Sequence, residues 1–182
     1  MTRHAAPLLA LALLPLLAAA PAPAQHGHGH GHGHGHAHDH GRGAAGDDHV
    51  AEGAGLRVLH GWTRAADGGE ALVFAEISNV SGGMVRITGA DSPAAAAAEI
   101  VGFQLIDGRE SHAPVGAIDL GPDEAVTMAP FGLAVRLTGL RGPLRRGETL
   151  PLTLLTADGA VEIVVEVEAA DARQHSHAGH NH

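Results

Sequence analysis

Histidines are the residues of this chain whose type and spacing could do chemistry. Eight of them occupy every second position of HGHGHGHGHGHAHDH, at His26, His28, His30, His32, His34, His36, His38 and His40. Four more lie near the C-terminus in HSHAGHNH, at His175, His177, His180 and His182. Neutral imidazole is the commonest protein ligand for borderline metal ions, and intervening glycines let the backbone bend until several rings meet one ion. The two histidine tracts therefore predict metal binding.

A hydrophilic low-complexity linker or a purification tag could also produce such tracts. A tag is usually an unbroken run at one end, whereas these histidines are separated by small residues and occur near both ends. Composition does not identify the metal, but the affinity order of divalent ions favours copper, with zinc and nickel as alternatives. Because an imidazole with an unperturbed pKa near 6.5 must lose its proton to coordinate, binding is expected to fade below about pH 6.

The first 24 residues have the layout of an exported signal peptide. Arg3 and His4 precede the apolar run LLALALLPLLAAA, and small residues lead up to Ala24. We expect cleavage after Ala24, which gives a periplasmic or secreted protein that begins at Gln25. No later apolar stretch approaches the roughly 20 residues of a transmembrane helix, so we expect no stable membrane insertion.

Composition divides the mature chain into three parts. Residues 25–55 combine the first tract with a linker of glycine, alanine and aspartate, and they are expected to be disordered because they lack periodicity. His49, in this linker, is a further candidate ligand. Residues 56–169 alternate short apolar runs with turn sequences and are long enough for one domain. Residues 170–182 form a short tail that carries the second tract.

Residues 56–169 predict an all-β domain. The clearest strand is AVEIVVEVE, which alternates apolar residues with Glu162, Glu166 and Glu168. Six other apolar runs predict strands that begin at Leu56, Ala71, Met84, Glu99, Leu133 and Thr149. The alanine run at 94–98 is too short for a helix and is predicted to form a turn. Short antiparallel strands around one core indicate a β-sandwich with Greek-key connections.

Aromatic residues are too scarce to fill the core of such a domain. The chain has one tryptophan and three phenylalanines, so valine, leucine, isoleucine and alanine must supply most of the packing. Met84 lies in a predicted strand and is expected to be core filler. His60, in the first predicted strand, is expected to have a structural or solvent-facing role.

Composition also argues against several classes of function. A formal net charge of −9 disfavours nucleic acid and anionic lipid as partners. The absence of cysteine removes disulfides and thiolate metal sites. The sequence has no nucleophile elbow, phosphate loop or HExxH motif, and it lacks the interior His-x-His and disulfide cysteines of the Cu/Zn superoxide dismutases. No enzymatic activity is predicted.

The order of several segments resembles that of the PCu(A)C-type periplasmic copper chaperones. These segments are GWTRA, ISNVSGG, ITGADSPAAAAAEI, APVGAIDL and GLAVRLTGLRGPLRRGETLPLTLLTADGAVEIVVEV. The resemblance covers about residues 56–168 and implies a cupredoxin-like Greek-key β-sandwich. It also implies a copper chaperone that supplies a periplasmic or membrane-bound copper-receiving protein.

The resemblance breaks at the metal site. Two histidines and two methionines hold copper(I) in that family, and their places fall here at Val101, His112, Ala134 and Arg136. Only His112 could still be a ligand, because thioether sulfur is missing and Arg136 would repel a cation. We therefore expect the histidine-rich ends, rather than any pocket in the folded body, to bind the metal.

These observations predict an exported metal-binding protein, a copper chaperone or metal buffer that captures ions through its histidine-rich tails and delivers or sequesters them. One alternative is a non-metal interaction module of a membrane-protein assembly pathway. Another is a buffer for zinc or nickel. Loss of metal capacity on removal of both tracts would separate the chaperone from the interaction module.

Overall fold

The computed structural model describes residues 49–176, which form eleven β-strands joined by turns and contain no α-helix. Within this range no helix could span a membrane. The strands are β1 Val50–Gly53, β2 Leu56–Arg64, β3 Glu70–Asn79, β4 Val85–Asp91, β5 Ala97–Ile106, β6 Arg109–Pro114, β7 Ile118–Leu120, β8 Ala125–Thr127, β9 Leu133–Thr138, β10 Thr149–Thr156 and β11 Gly159–Glu168.

The strands pair in the order β6-β5-β9-β3-β2-β11-β10-β4-β7, with β1 added to β2 and β8 added to β3. Most neighbours are antiparallel, but β11 runs parallel to β2. Ile87 of β4 and Ile100 of β5 come from opposite halves of this path, yet they belong to one buried cluster. The sheet therefore folds over on itself and encloses a single main core, which makes it a β-sandwich.

Aliphatic side chains fill the core, as the composition predicted. In β11 the buried hydrophobic residues are Val161, Ile163, Val165 and Val167, which confirms the period of two, and Glu168 at the end of the strand is also buried. Each fully buried aliphatic side chain contributes about 1.5–3 kcal/mol to folding. Trp62 and Phe74, with ring centres 4.7 Å apart, form a smaller cluster with Val101 and Ala134. We call this second group the aromatic cluster.

All seven predicted strands are present, as β2, β3, β4, β5, β9, β10 and β11. Within the alanine run at 94–98, the first three residues form a turn and bends, as predicted, but Ala97 and Ala98 already belong to β5. The expectation for Met84 is wrong, because its side chain is 70% exposed. It lies in the turn before β4, where nothing directs it inward. Met128 is the buried methionine, and its N–H donates to the carbonyl oxygen of Ala75, 2.8 Å away.

The folded domain starts earlier than the predicted boundary at residue 56. β1 pairs with the first half of β2 through a two-residue turn, Ala54–Gly55. Both turn residues have positive φ, 48° and 78°, as in the type I′ turns that match the twist of a hairpin. Main-chain pairing thus orders a segment whose small and acidic side chains predicted disorder.

Asn79 ties the end of β3 to two loops. Its side chain is 2% exposed, and its Nδ2 donates to the carbonyl oxygens of Gly83, Leu120 and Gly121 at 2.6, 3.0 and 2.8 Å. Its Oδ1 accepts hydrogen bonds from the N–H and hydroxyl of Ser81. A single buried amide therefore satisfies polar groups of two separate connections.

We predict that Asn79→Ala lowers the free energy of unfolding by about 3 kcal/mol, because buried carbonyls lose their donor. Asn79→Asp is expected to destabilise similarly, since a carboxylate cannot donate. Denaturant unfolding monitored by Trp62 fluorescence measures both. The control Thr88→Ala removes an exposed hydroxyl that bonds the carbonyl of Leu155, and it is expected to cost less than about 0.5 kcal/mol. Equal effects of Asn79→Ala and Thr88→Ala would contradict the role given to Asn79.

Candidate metal centre

The segment 169–176, which we call the C-terminal strap, lies on the sandwich beyond β11. The Nε of Arg64 donates to the carbonyl oxygen of Ala172 at 2.6 Å, and Ala172 packs against the aromatic cluster. The N–H of Ser176 donates to Oε1 of Glu168 at 2.7 Å. These contacts place His175 against the domain, where its side chain is only 5% exposed.

A β-bulge in β2 places a second histidine at the same end of the sandwich. The pairing of β2 with β3 shifts between Leu59 and Trp62, so that His60 and Gly61 face a single residue of β3. His60 has φ of +52°. A Cβ on Gly61 would lie 3.1 Å from the carbonyl oxygen of Val164, so glycine lets β2 approach β11 closely at this point.

The third histidine, His49, directly precedes β1. Its carbonyl oxygen accepts a hydrogen bond of 3.0 Å from the N–H of His60, which continues the pairing of β1 with β2. Its Nδ1 lies 3.2 Å from Oε1 of Glu166. Backbone pairing and a carboxylate thus both hold this residue against the folded domain.

Glu166 connects His49 with His175. Its Oε2 lies 3.8 Å from Nε2 of His175, and its side chain is 36% exposed. One possible ligand atom from each of His49, Glu166 and His175 lies within 4.8 Å of the others, an arrangement that could hold a metal ion. We call these three residues the His-Glu centre.

Further groups surround the His-Glu centre. Oε1 of Glu168 lies 3.1 Å from Nδ1 of His175, the position from which a carboxylate orients a metal-binding imidazole. The ring of His60 is centred 5.6 Å from that of His175 and 6.3 Å from that of His49. Its Nδ1 lies 3.9 Å from Oε1 of Glu76.

A cavity of about 420 Å³ opens beside the centre, and its walls include His60, Trp62, Met128, Arg173 and His175. Two imidazoles and a carboxylate are a mixed nitrogen and oxygen donor set, which suits zinc, copper(II) and nickel. The cavity gives small ligands access to the side of the centre that His60 and His175 form. The chemistry that this arrangement supports is reversible binding of a divalent cation.

Of the histidines predicted as metal ligands in the two ends of the chain, the structure describes two, His49 and His175. His49 and His175 were assigned to flexible ends, but both lie on the folded domain, because backbone pairing and the strap contacts hold them there. The other tract histidines, at 26–40 and 177–182, lie outside the described residues. Glu166 and Glu168 were not predicted as ligands. The one sequence feature that could have indicated these two glutamates is their alternation with apolar residues in the last strand.

Among residues 49–176, the positions at which the resemblance implied copper(I) ligands form no ligand cluster. Val101 and Ala134 are register partners on β5 and β9, fully buried in the aromatic cluster. Arg136 pairs with Glu99, with Nε 3.1 Å from Oε1, and its Nη1 donates to the carbonyl oxygen of His112 at 3.3 Å. Apolar packing and an ion pair therefore occupy these positions.

His112 stands apart from the His-Glu centre. It lies on β6 opposite Phe103, whose ring meets the imidazole edge-on with centres 5.7 Å apart. Its Nε2 is buried and has no hydrogen-bond partner among the described residues. The ligand role considered for His112 stays a prediction.

Comparison with known proteins agrees with the fold. The family model described as "Putative lipoprotein LpqE-like" matches residues 56–169. "Putative lipoprotein Lxx21020" from Leifsonia xyli subsp. xyli (strain CTCB07) is 27% identical over 111 residues, which are 60% of this chain and 67% of that protein.

Solved structures of PCuAC domains also resemble this chain. The apo PCuAC domain of PmoF2 is 28% identical, with a TM-score of 0.57 over 70% of this chain and 100% of the domain. The copper-bound PCuAC domain from PmoF2 is 26% identical, with a TM-score of 0.55 over 66% of this chain and 98% of the domain. The resemblance to PCu(A)C-type proteins and the cupredoxin-like β-sandwich are thereby confirmed, and the chain belongs to the LpqE-like family.

Proposed function

We propose that this protein is an exported copper-binding protein that acts as a copper chaperone or metal buffer. The His-Glu centre carries the proposal, since it brings two imidazoles and a carboxylate within 4.8 Å of one another. The similarity to a copper-bound PCuAC domain supports copper as the metal. Zinc and nickel remain alternatives because the same donors bind them.

We assign metal binding to two parts of the chain, the folded domain and the histidine tracts. The ligands of the His-Glu centre are already held together, so an ion there avoids the cost of ordering a chain, about 1–2 kcal/mol per residue. Tract sites, which we expect to be disordered, would bear that cost and bind more weakly. We assign the tightest site to the His-Glu centre and most of the capacity to the tracts.

Export and delivery complete the proposed function. The layout of residues 1–24 and the description of the family as lipoproteins both support passage out of the cytoplasm. In the periplasm or the medium, the protein would capture ions and pass them to a copper-receiving protein, or hold them. The open side of the His-Glu centre supports ligand exchange, because another protein's donor can approach the ion from the cavity.

We predict that Glu166→Gln in the full chain abolishes the tightest copper(II) site but leaves the weaker sites, because it removes the carboxylate shared by His49 and His175. Glu162→Gln is the matched control, since it changes the same residue type on the same strand at an exposed position. Competitive titration against a chelator of known affinity measures the outcome. Loss of the tight site in both variants, or in neither, would contradict the assignment.

We also predict that replacing the tract histidines with serine, at 26–40 and at 177, 180 and 182, lowers the number of bound ions but preserves one tight site. Equilibrium dialysis with elemental analysis measures the stoichiometry. Unchanged capacity would refute the role of the tracts. If the unmodified chain bound no copper, zinc or nickel, the metal-binding function would fail and the interaction module would be favoured.

A further inference from the structure

The backbone of His60 is unlike that of the other non-glycine residues with positive φ in the described range. Ala54, Asp107 and Asp123 lie in turns, where this conformation is common, whereas His60 lies inside strand β2. Strained backbone conformations inside regular elements cluster at functional sites. Because His60 does not lie in a turn, a change of chain direction does not account for its positive φ, and we look for a functional reason.

The bulge changes the direction in which the His60 side chain points. Extra residues in a strand re-aim side chains, and here the re-aimed ring comes within 5.6 and 6.3 Å of the two histidines of the His-Glu centre. Gly61 suits the bulge, because a Cβ there would lie 3.1 Å from the carbonyl oxygen of Val164 on β11, closer than most Cβ atoms come to a neighbour. His60 and Gly61 together thus place a third imidazole beside those of His49 and His175.

The distances between the rings suit ligands of a single ion. Imidazole nitrogens about 2.0 Å from a tetrahedral ion put the ring centres about 3 Å from it and about 5 Å from one another. The separations between His49, His60 and His175 are 5.6, 5.6 and 6.3 Å. The ligand atoms that already lie within 4.8 Å of one another belong to His49, Glu166 and His175, so His60 would have to turn its ring toward them to join the set.

We propose that His60 is the third nitrogen ligand of the His-Glu centre, which would then bind a borderline divalent cation through three imidazoles and the carboxylate of Glu166. This inference rests on the proposed function. It adds that the centre selects Cu²⁺ and Zn²⁺ over Cu⁺, because a carboxylate and imidazoles replace the soft sulfur ligands that favour Cu⁺.

The surroundings of His60 support this assignment. Oε1 of Glu76 lies 3.9 Å from Nδ1 of His60, and its negative charge beside the three imidazoles favours a bound cation. The cavity beside His60 and His175 provides the entry path that a metal site needs. Candidate ligands, a nearby negative charge and an entry path are thus present at one place.

The test uses the full chain with the tract histidines at 26–40, 177, 180 and 182 replaced by serine, so that the folded centre is measured alone. In this background His60→Asn keeps a residue that tolerates positive φ but removes the imidazole. We expect its Cu²⁺ affinity to fall by roughly 100-fold or more, beyond the range of 10–100-fold typical of losing an outer partner. Nitrogen couplings in the electron paramagnetic resonance spectrum are expected to fall from three imidazoles to two.

A second variant separates binding from folding. His60→Gly relieves the backbone and removes the ligand, so the metal-free chain is expected to melt at the same or a higher temperature, while the stabilisation by added Cu²⁺ or Zn²⁺ shrinks. Asp107→Gly is the matched control, since it relieves a positive φ in a turn between β5 and β6. It is expected to leave both metal affinities unchanged.

The outcomes distinguish this inference from the proposed function. If His60→Asn leaves the Cu²⁺ affinity within about twofold and the spectrum unchanged, His60 is not a ligand, and a site of His49, Glu166 and His175 still stands. Tighter binding of Cu⁺ than of Cu²⁺ in the serine background would overturn the proposed selectivity. If that background binds no ion, the folded centre itself fails.

Discussion

The parallel pairing of β2 with β11 is the constraint on which the candidate metal centre depends. It sets Glu166 opposite Trp62 and Glu168 opposite Arg64, and so joins the first long strand of the domain to the last. His49 enters beside β2, and His175 follows β11. Residues far apart in sequence become neighbours because these two strands do. The same pairing lets Arg64 hold the strap, across 108 positions of sequence, through the carbonyl of Ala172.

The domain shares the fold of the PCuAC domains, but two of the positions at which the sequence resemblance implied copper(I) ligands hold apolar side chains. At these two, Val101 and Ala134 pack with Trp62 and Phe74. Burial of these side chains contributes to folding, and Arg136 forms an ion pair with Glu99, its register partner on β5. The histidines and carboxylates of the candidate centre come from β2, β11 and the strap. The apolar packing at Val101 and Ala134 and the polar candidate centre are therefore formed by different residues of one sandwich.

Regular alternation made the strands predictable, whereas long-range contacts made the centre unpredictable. β11 was clear because four aliphatic residues alternate with polar ones, but β6, with the sequence RESHAP, carries almost no such signal. His49 and His175 were recognised by residue type, yet local composition placed both in tails. Their docking depends on the turn at Ala54–Gly55, on Glu168 and on Arg64, which no local pattern connects. The bulge at His60 was likewise hidden, because it is defined by the register between β2 and β3, which the local sequence does not reveal.

The location of His49 and His175 has a mechanical consequence for a chain without cysteine. An ion held by both would join the residue that precedes the first strand to the segment that follows the last. Because such an ion binds the folded state and is released on unfolding, it would stabilise the fold by about 2.7 kcal/mol when its free concentration is about 100 times the Kd. The loaded protein would then resist unfolding and proteolysis better than the empty one, so that its lifetime would depend on whether an ion is bound.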